Sequence, residues 1–257
     1  MDPQIRFNDG AAYERMMGAW SRIAGEVFLD WVAPAKSLTW ADIGCGNGAF
    51  TQLIVERCAP KRVFGIDPSP GQLAYAQTRL ASMPVELTTG DAIALPYTDN
   101  SVDAATMALV MFFVPDPQKG LAEMTRVTRP GGCVAAYVWD LPGGGFPADA
   151  IWAELAAIGQ PVPPPPSAEI SSMDALKALW SSGLDRVETK VIDVERSFTG
   201  FDDYWDVCMG SAATKAAVQA LSVEQIAQVK ARVCERIARK GGRYTGRANA
   251  AKGKVRT

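Results

Sequence analysis

From Ser37 onward the hydrophobic period of the chain switches back and forth between two and 3.6 residues, and this alternation restricts the fold more than any other feature. Ser37 to Ile43 is expected to be a buried strand, closed by glycines at 44, 46 and 48, and Ala49 to Cys58 resumes a helical pattern. A second strand is expected over Arg62 to Ile66, a helix over Gln72 to Ala81 and a third strand over Val85 to Thr89. The series continues with a strand over Val102 to Val110 and a helix over Asp116 to Arg129, with Asp116 as its N-cap. A Pro130-Gly131-Gly132 turn then leads into a fifth strand, Cys133 to Trp139. Strand and helix at this pitch imply a parallel sheet with right-handed crossovers.

Beyond Trp139 the composition changes. A glycine-rich stretch, Leu141 to Gly145, is followed by the run Pro161-Val-Pro-Pro-Pro-Pro166, which reads as a spacer or exposed loop. A helix is expected over Ser171 to Ser181, a strand over Arg186 to Val194, helical stretches from Phe201 and over Val223 to Lys240, and a last strand near Arg243 to Ala250. Asp9 to Val32 carries apolar residues at helical spacing with a break at Gly18. The expected fold is therefore α/β, a Rossmann-like, mostly parallel sheet of seven strands with helices on both faces. Residues 1–34 would form a helical lid on a domain covering 35–257, with its core at 37–140 and a variable part at 141–257.

Composition excludes several chemistries. The 257 residues include no histidine, which removes the Ser-His-Asp triad, an imidazole base and His-bearing metal sites. Five widely spread cysteines, never in a Cys-x-x-Cys pair, read as reduced thiols, so no metal site is expected. The N-terminus carries no secretory pattern, and the longest apolar run, Ala104 to Pro115, is shorter than the ~18 residues of a membrane span. A cytoplasmic protein without a membrane span is expected. Charge is uneven: Lys230 to Thr257 holds ten basic residues and the single acid Glu235. A nucleic-acid or acidic partner is one reading of that segment, and a solvated helix running into a strand is the plainer one, since Tyr244 is its only aromatic.

The chemistry concentrates in Asp42-Ile-Gly44-Cys-Gly46-Asn-Gly48, between a strand and a helix, where glycine lets backbone approach a ligand. Gly44, Gly46 and Ala49 also fit the dinucleotide fingerprint G-x-G-x-x-G/A. Asp67 follows about 20 residues later, placed to accept both hydroxyls of an adenosine ribose. Asp91, in Gly90-Asp91-Ala92, falls at the end of the adjacent strand. A nicotinamide-dependent reductase would share the loop and Asp67, but it needs a proton donor, and the chain has neither His nor Tyr-x-x-x-Lys.

Asp42-x-Gly44-x-Gly46-x-Gly48, Gly65-Ile-Asp67-Pro-Ser69, Gly90-Asp91-Ala92 with Leu95-Pro96, Ser101-Val-Asp103 and Arg129-Pro-Gly-Gly132 occur in this order. As a set, over Leu38 to Trp139, they resemble the class I S-adenosylmethionine-dependent methyltransferases, closest to the small-molecule group that includes the ubiquinone and menaquinone enzymes. The resemblance implies S-adenosyl-L-methionine as cofactor and S-adenosyl-L-homocysteine as product. It would place Gly44, Cys45 and Gly46 against the methionyl end and Asp42 near the ammonium. Asp67 would take the ribose hydroxyls, with Pro68 packing on the adenine. Asp91 and Ala92 would bond the adenine, and Ala108 and Leu109 would face the sulfonium and its methyl group. Tyr13, Met17 and Trp20 are candidates for the lid over cofactor and substrate.

The chain departs from the family after its fourth strand. Where relatives carry polar residues and His, it reads Met107-Ala-Leu-Val-Met-Phe-Phe113. This suggests an apolar substrate mouth lined by Met111, Phe112 or Phe113, with Trp139 nearby. Methyl transfer from a sulfonium needs mainly alignment. If a base is needed, Asp140, after the fifth strand, is the candidate. The function expected is methyl transfer to a small, partly apolar acceptor by positioning, with no nucleic-acid substrate. The alternative is a non-catalytic cofactor-binding or RNA-associated subunit using Lys230 to Arg256.

Overall fold

The structure is a computed structural model that describes residues 14–239 and 241–257. Its seven-stranded sheet has the order β3-β2-β1-β4-β5-β7-β6. The strands are β1 (Thr39–Ile43), β2 (Arg62–Asp67), β3 (Val85–Thr89), β4 (Val102–Ala108), β5 (Thr128–Trp139), β6 (Asp185–Arg196) and β7 (Tyr244–Lys254). The first five pair in parallel, while β7 runs antiparallel between β5 and β6. Strand order reverses between β1 and β4. In an open α/β sheet this is where a crevice opens beyond the carboxyl ends of the strands.

The helices are α1 (Ala19–Val32), α2 (Ala49–Cys58), α3 (Pro70–Arg79), α4 (Pro117–Val127), α5 (Asp149–Ala157), α6 (Met173–Gly183), α7 (Phe201–Cys208), α8 (Ala212–Gln219) and α9 (Val223–Arg239). Alternation along β5 separates the two faces of the sheet. Tyr137 stacks on Phe28 of α1 and Phe50 of α2, at 4.8 and 5.7 Å, and its hydroxyl donates to the Ser21 carbonyl. On the other face Trp180 of α6 is fully buried and its indole donates to the Val134 carbonyl at 3.2 Å. Ser69, Asp116 and Ser172 cap α3, α4 and α6 by accepting from backbone N–H groups three residues on.

Two boundaries differ from the sequence reading by more than two residues. The Pro130-Gly131-Gly132 turn is absorbed into β5, because the Gly131 N–H donates to the Val255 carbonyl and the Val255 N–H to the Gly132 carbonyl, while the β4 register slips between Val102 and Ala104. β7 runs four residues past the expected end at Ala250, since strands on both sides pair with it as far as Lys254.

Beyond Trp139, α6, β6 and β7 join the main core, while α5, α7, α8 and α9 are built around a second cluster of buried residues. Ile151 and Leu155 of α5, Tyr204 and Trp205 of α7, Val218 of α8, and Val229 and Val233 of α9 pack there, apart from the main core. The chain leaves the sheet after β5 and again after β6 to build it. The basic segment is largely neutralised within the molecule: Lys230 pairs with Asp202, Arg236 with Glu154, Arg247 with Asp193, Lys252 with Glu188 and Arg256 with Asp185. Such exposed pairs add little stability, but they cancel the field that a polyanion would follow. Among the described residues no helix is long and apolar enough to cross a membrane.

Candidate cofactor and acceptor site

The glycine loop lies at the carboxyl end of β1, beside the strand-order reversal, and its N–H groups are already engaged. Those of Gly44 and Cys45 donate to the Ile66 carbonyl at 2.7 and 3.0 Å, and that of Gly46 to Asp67 Oδ2 at 2.9 Å. The Gly48 N–H donates to the Cys45 carbonyl and the Ala49 N–H to Asn47 Oδ1. A dinucleotide pyrophosphate is bound by free N–H groups at such a loop. A loop that has spent its donors and keeps carbonyls and carboxylates suits a cation instead.

Two of the glycines do different work. Gly44 sits at φ +75°, and a Cβ there would come within 2.4 Å of Val110 Cγ2, so its absence lets the loop after β1 meet the segment after β4. A Cβ on Gly46, at φ +53°, would meet nothing within 4 Å. Open space at Gly46 is what close approach of a ligand requires. The Cys45 thiol is buried, and burial, then Asp42 and Asp67, hold its pKa well above the ordinary value. It is a packing group and not a nucleophile.

Asp42 is 0% exposed. The Thr51 hydroxyl donates to its Oδ2 at 2.6 Å, while Oδ1 is buried with no hydrogen-bond partner. Burial pushes its pKa up to about 7, against the hydrogen bond from Thr51 and with help from the Asp67 charge. An orphaned carboxylate oxygen next to a donor-poor loop fits an ammonium group. Because the folded protein holds this proton more tightly than the unfolded chain, stability falls as pH rises from about 4 to about 7, and the full penalty persists above that. Asp42→Asn removes the titration. Thermal melts of the ligand-free protein are expected to show the variant's advantage growing over that window and levelling above about pH 7, at roughly 3–4 kcal/mol as an upper figure. A constant difference between the two proteins at all pH values would contradict this.

Asp67 ends β2, with Oδ1 accepting from the Ser69 N–H at 2.8 Å. Burial raises its pKa, opposed by the N–H groups of Ser69 and Gly46. Each oxygen keeps a further lone pair for a hydroxyl. Pro68 beside it is exposed. Asp67 pairs in register with Thr89, so Asp91 stands two residues farther along the same rim. Asp91 is exposed and accepts from the Ile93 N–H, with Ala92 half-buried between. The loop that follows is clamped by Arg126, whose guanidinium donates to the Leu95 and Tyr97 carbonyls and to Asp99 and Glu123.

Beyond β4 the chain turns sharply. Leu109 has φ +61°, a conformation that costs a branched side chain energy, and its N–H donates to the Tyr137 carbonyl at 2.8 Å. It forms one wall of an apolar cavity of about 100 Å³. Phe112, Phe113, Trp139 and Leu141 continue the wall along the sheet rim, and Met16 and Met17 of the π-helical turn Glu14–Gly18 close it from above. Phe146 and Trp152, then Val162, Pro163 and Pro165, then Ser211 to Ala213, line the far side. A second cavity, about 240 Å³, lies over the start of α2 between Gly18, Ala49 and Gln52, with Arg22, Arg79 and Arg196 in its wall.

Residues 41–136 match the family model for a methyltransferase domain. Over this stretch the chain is similar to methyltransferases. A demethylmenaquinone methyltransferase of Desulfitobacterium hafniense is 38% identical to it over 110 residues, 41% of this chain and 44% of that protein. An uncharacterized methyltransferase of Mycobacterium bovis is 36% identical over 129 residues, 50% of this chain and 49% of that protein. The chain thus spans about half or less of the curated relatives it matches. In fold it is similar to a putative methyltransferase from an antibiotic biosynthesis pathway of Anabaena variabilis, with a TM-score of 0.65, 17% identity and coverage of 91% and 99% of the two chains.

The structure gathers Asp42, Gly44, Cys45, Gly46 and Asp67 in one loop system, and Met17, Leu109, Phe112 and Trp139 around one cavity. Ala108 is the last residue of β4, directly before them. Trp20 packs on Phe198 at 6.2 Å and is not part of the cavity wall, because the first full turn of α1 turns it into the core. Met111 is likewise fully buried in the core, leaving Phe112 and Phe113 to the cavity. Asp140 sits in the turn after β5, where its Oδ1 accepts from the Gly143 N–H at 3.0 Å, and it lines neither cavity. Tyr13 lies outside the described residues.

Some wall residues carried no recognisable signal in the sequence. The Pro161–Pro166 run is a wall and not a free spacer, because the neighbouring Ser167 ties it down: its N–H donates to the Phe112 carbonyl and its hydroxyl to the Val114 carbonyl. Three arginines distant in sequence meet in the second cavity only through tertiary packing.

Proposed function

We propose that this chain binds S-adenosylmethionine along the carboxyl ends of β1, β2 and β3 and transfers its methyl group to a small, largely apolar acceptor held in the cavity behind Leu109. The observation that carries this reading is a junction: Val110 packs on the glycine loop at Gly44, and the adjacent Leu109 walls the apolar cavity. Cofactor loop and acceptor space are therefore neighbours through two consecutive residues. When bound, the cofactor supplies an electrophilic methyl on a sulfonium that leaves as a neutral thioether.

The protein's own contribution is placement. Asp42, buried behind the loop, orients the ammonium through water, Asp67 holds the ribose hydroxyls, and Asp91 with the Ala92 N–H receives the adenine against Pro68. The arginine-bearing cavity over α2 suits the carboxylate of the same ligand. Met16 and Met17 keep water from the reacting atoms, and Leu109 fixes the approach line. Holding the reacting atoms in line accounts for much of the acceleration in such a displacement. Among the described residues no side chain in the cavity wall can act as a strong base, which favours an acceptor that arrives nucleophilic or loses its proton to solvent. The five cysteines, all free thiols, suit a reducing compartment such as the cytoplasm.

Calorimetric titration tests the reading. Saturable single-site binding of S-adenosylmethionine and no heat with a nicotinamide dinucleotide are expected. Dinucleotide binding of equal strength, or no binding of S-adenosylmethionine, would overturn it.

A further inference from the structure

One short turn forms part of both cavities. Met16 and Met17 of the π-helical turn Glu14–Gly18 wall the apolar cavity, and Gly18, with Ala19 and Arg22 just after it, walls the arginine-bearing one. A π-turn is an uncommon element that recurs at functional sites, and Gly18 offers no side-chain cap to α1. The three arginines of the second cavity are anchored differently. Arg22 pairs with Glu26 of α1 and Glu56 of α2, and Arg79 donates to Asn47 Oδ1 of the glycine loop while its guanidinium lies 5.2 Å over the Tyr75 ring. Arg196, the last residue of β6, reaches the turn itself. Its Nη1 donates to the Met16 carbonyl at 3.5 Å, which is long for such a bond and leaves room for it to tighten. The same guanidinium lies 4.6 Å over the Phe198 ring, which packs on Trp20, Tyr204 and Tyr244. A guanidinium carries five N–H donors in one rigid plane, so one edge can serve a backbone carbonyl while another serves an anion.

We infer that Arg196 is a positioning residue that couples the two cavities: an anion held in the arginine cavity fixes the Arg196 guanidinium against the Met16 carbonyl, and this holds Met16 and Met17 over the apolar cavity. The sign of the coupling follows from charge. Three guanidiniums around one space repel one another, and an anion between them offsets that repulsion, so Arg196 is held at the turn more firmly with the anion than without it. The carboxylate end of the cofactor thereby closes the acceptor space, and by reciprocity an occupant of the acceptor space tightens the hold on the cofactor. The inference rests on the methyl-transfer reading only in naming the anion as the cofactor's carboxylate.

The test is amide hydrogen exchange over residues 14–20 of the full chain, read by mass spectrometry. Saturating S-adenosylmethionine should slow exchange there about five-fold, while its decarboxylated form, also at saturation, should leave the rate within about two-fold of that of the ligand-free protein. Sulfate, compared with chloride at equal ionic strength, should slow the turn in the same direction. In Arg196→Gln the turn should respond to neither S-adenosylmethionine nor sulfate. In Arg79→Gln, which removes the same charge from the glycine-loop side of the wall, the cofactor should bind more weakly but the turn should still respond at saturation. A merely structural role for Arg196 would instead raise the exchange rate of the ligand-free turn and keep the response. Equal protection by the two cofactor forms, a response kept in Arg196→Gln or lost in Arg79→Gln, or a turn indifferent to sulfate would each overturn the inference. If Arg196→Gln fails to fold, the two cofactor forms and sulfate on the wild type still decide. Failure of S-adenosylmethionine to bind removes the methyl-transfer reading and leaves the sulfate response to decide the coupling, whereas normal cofactor binding with an unresponsive turn removes only the coupling.

Discussion

Asp67→Asn is expected to weaken S-adenosylmethionine binding by about 10²-fold. The carboxylate stands at the end of β2 with one lone pair on each oxygen committed to the loop, from the Ser69 N–H at 2.8 Å and the Gly46 N–H at 2.9 Å. The remaining capacity points to a pair of hydroxyls, and hydrogen bonds to a charged group contribute ~1.5–3 kcal/mol each, so losing the charge accounts for a factor of that order. Asn also presents an amide N–H to one of the two backbone donors, which disturbs the loop as well as the ligand. A cofactor analogue lacking a ribose hydroxyl distinguishes these effects. It should bind less well than S-adenosylhomocysteine to the wild type and nearly as well as it to the variant, since the lost partner is already gone. Equal affinity of wild type and variant for S-adenosylmethionine would refute the ribose placement.

Gly44→Ala should have the largest effect on folding. The new Cβ would lie 2.4 Å from Val110 Cγ2 and 2.6 Å from Cγ1, at a backbone angle of φ +75°. Left-handed strain of ~1–2 kcal/mol and overpacking of ~1–3 kcal/mol together predict a loss of about 3 kcal/mol, a fall in Tm of about 6–12 °C. Adding Val110→Ala should recover the steric part and leave the backbone part, so the double variant is expected to melt higher than Gly44→Ala alone. Gly46→Ala provides the contrast. Its Cβ meets nothing within 4 Å, so its melting point should fall by only a few degrees, from the left-handed angle, while cofactor affinity drops because the methyl group occupies the approach to the ligand. If Gly44→Ala melts like the wild type, the close contact between the two loops is not needed for the fold.

The sheet was legible in the sequence because each of its first five strands carries its own local record. The period changes at Ser37, Arg62, Val85 and Val102, and a glycine, proline or N-cap residue marks most of the joins. The same holds for the Asp42-to-Gly48 loop and for Asp67 and Asp91, whose positions after consecutive strands put them on one rim. Where local signals are ambiguous, packing decides. Trp20 reads as a lid residue and Met111 as a mouth residue, and both are buried in the core. The proline run looks like a spacer, but Ser167 ties it to Phe112.

By itself, then, the sequence determined the α/β architecture, the glycine loop between the first strand and its helix, and the absence of imidazole chemistry. Those follow from residue type and from spacing over fewer than about 30 residues, the range in which backbone period and turn chemistry act. The tertiary structure alone decided which side chains share a cavity: Met17 with Trp139 and Pro163, and Arg22 with Arg79 and Arg196. It also decided that the basic segment spends its charge on Asp185, Glu188 and Asp193 of the neighbouring strand. Contacts between residues far apart in the chain depend on how the layers pack, which no local spacing records.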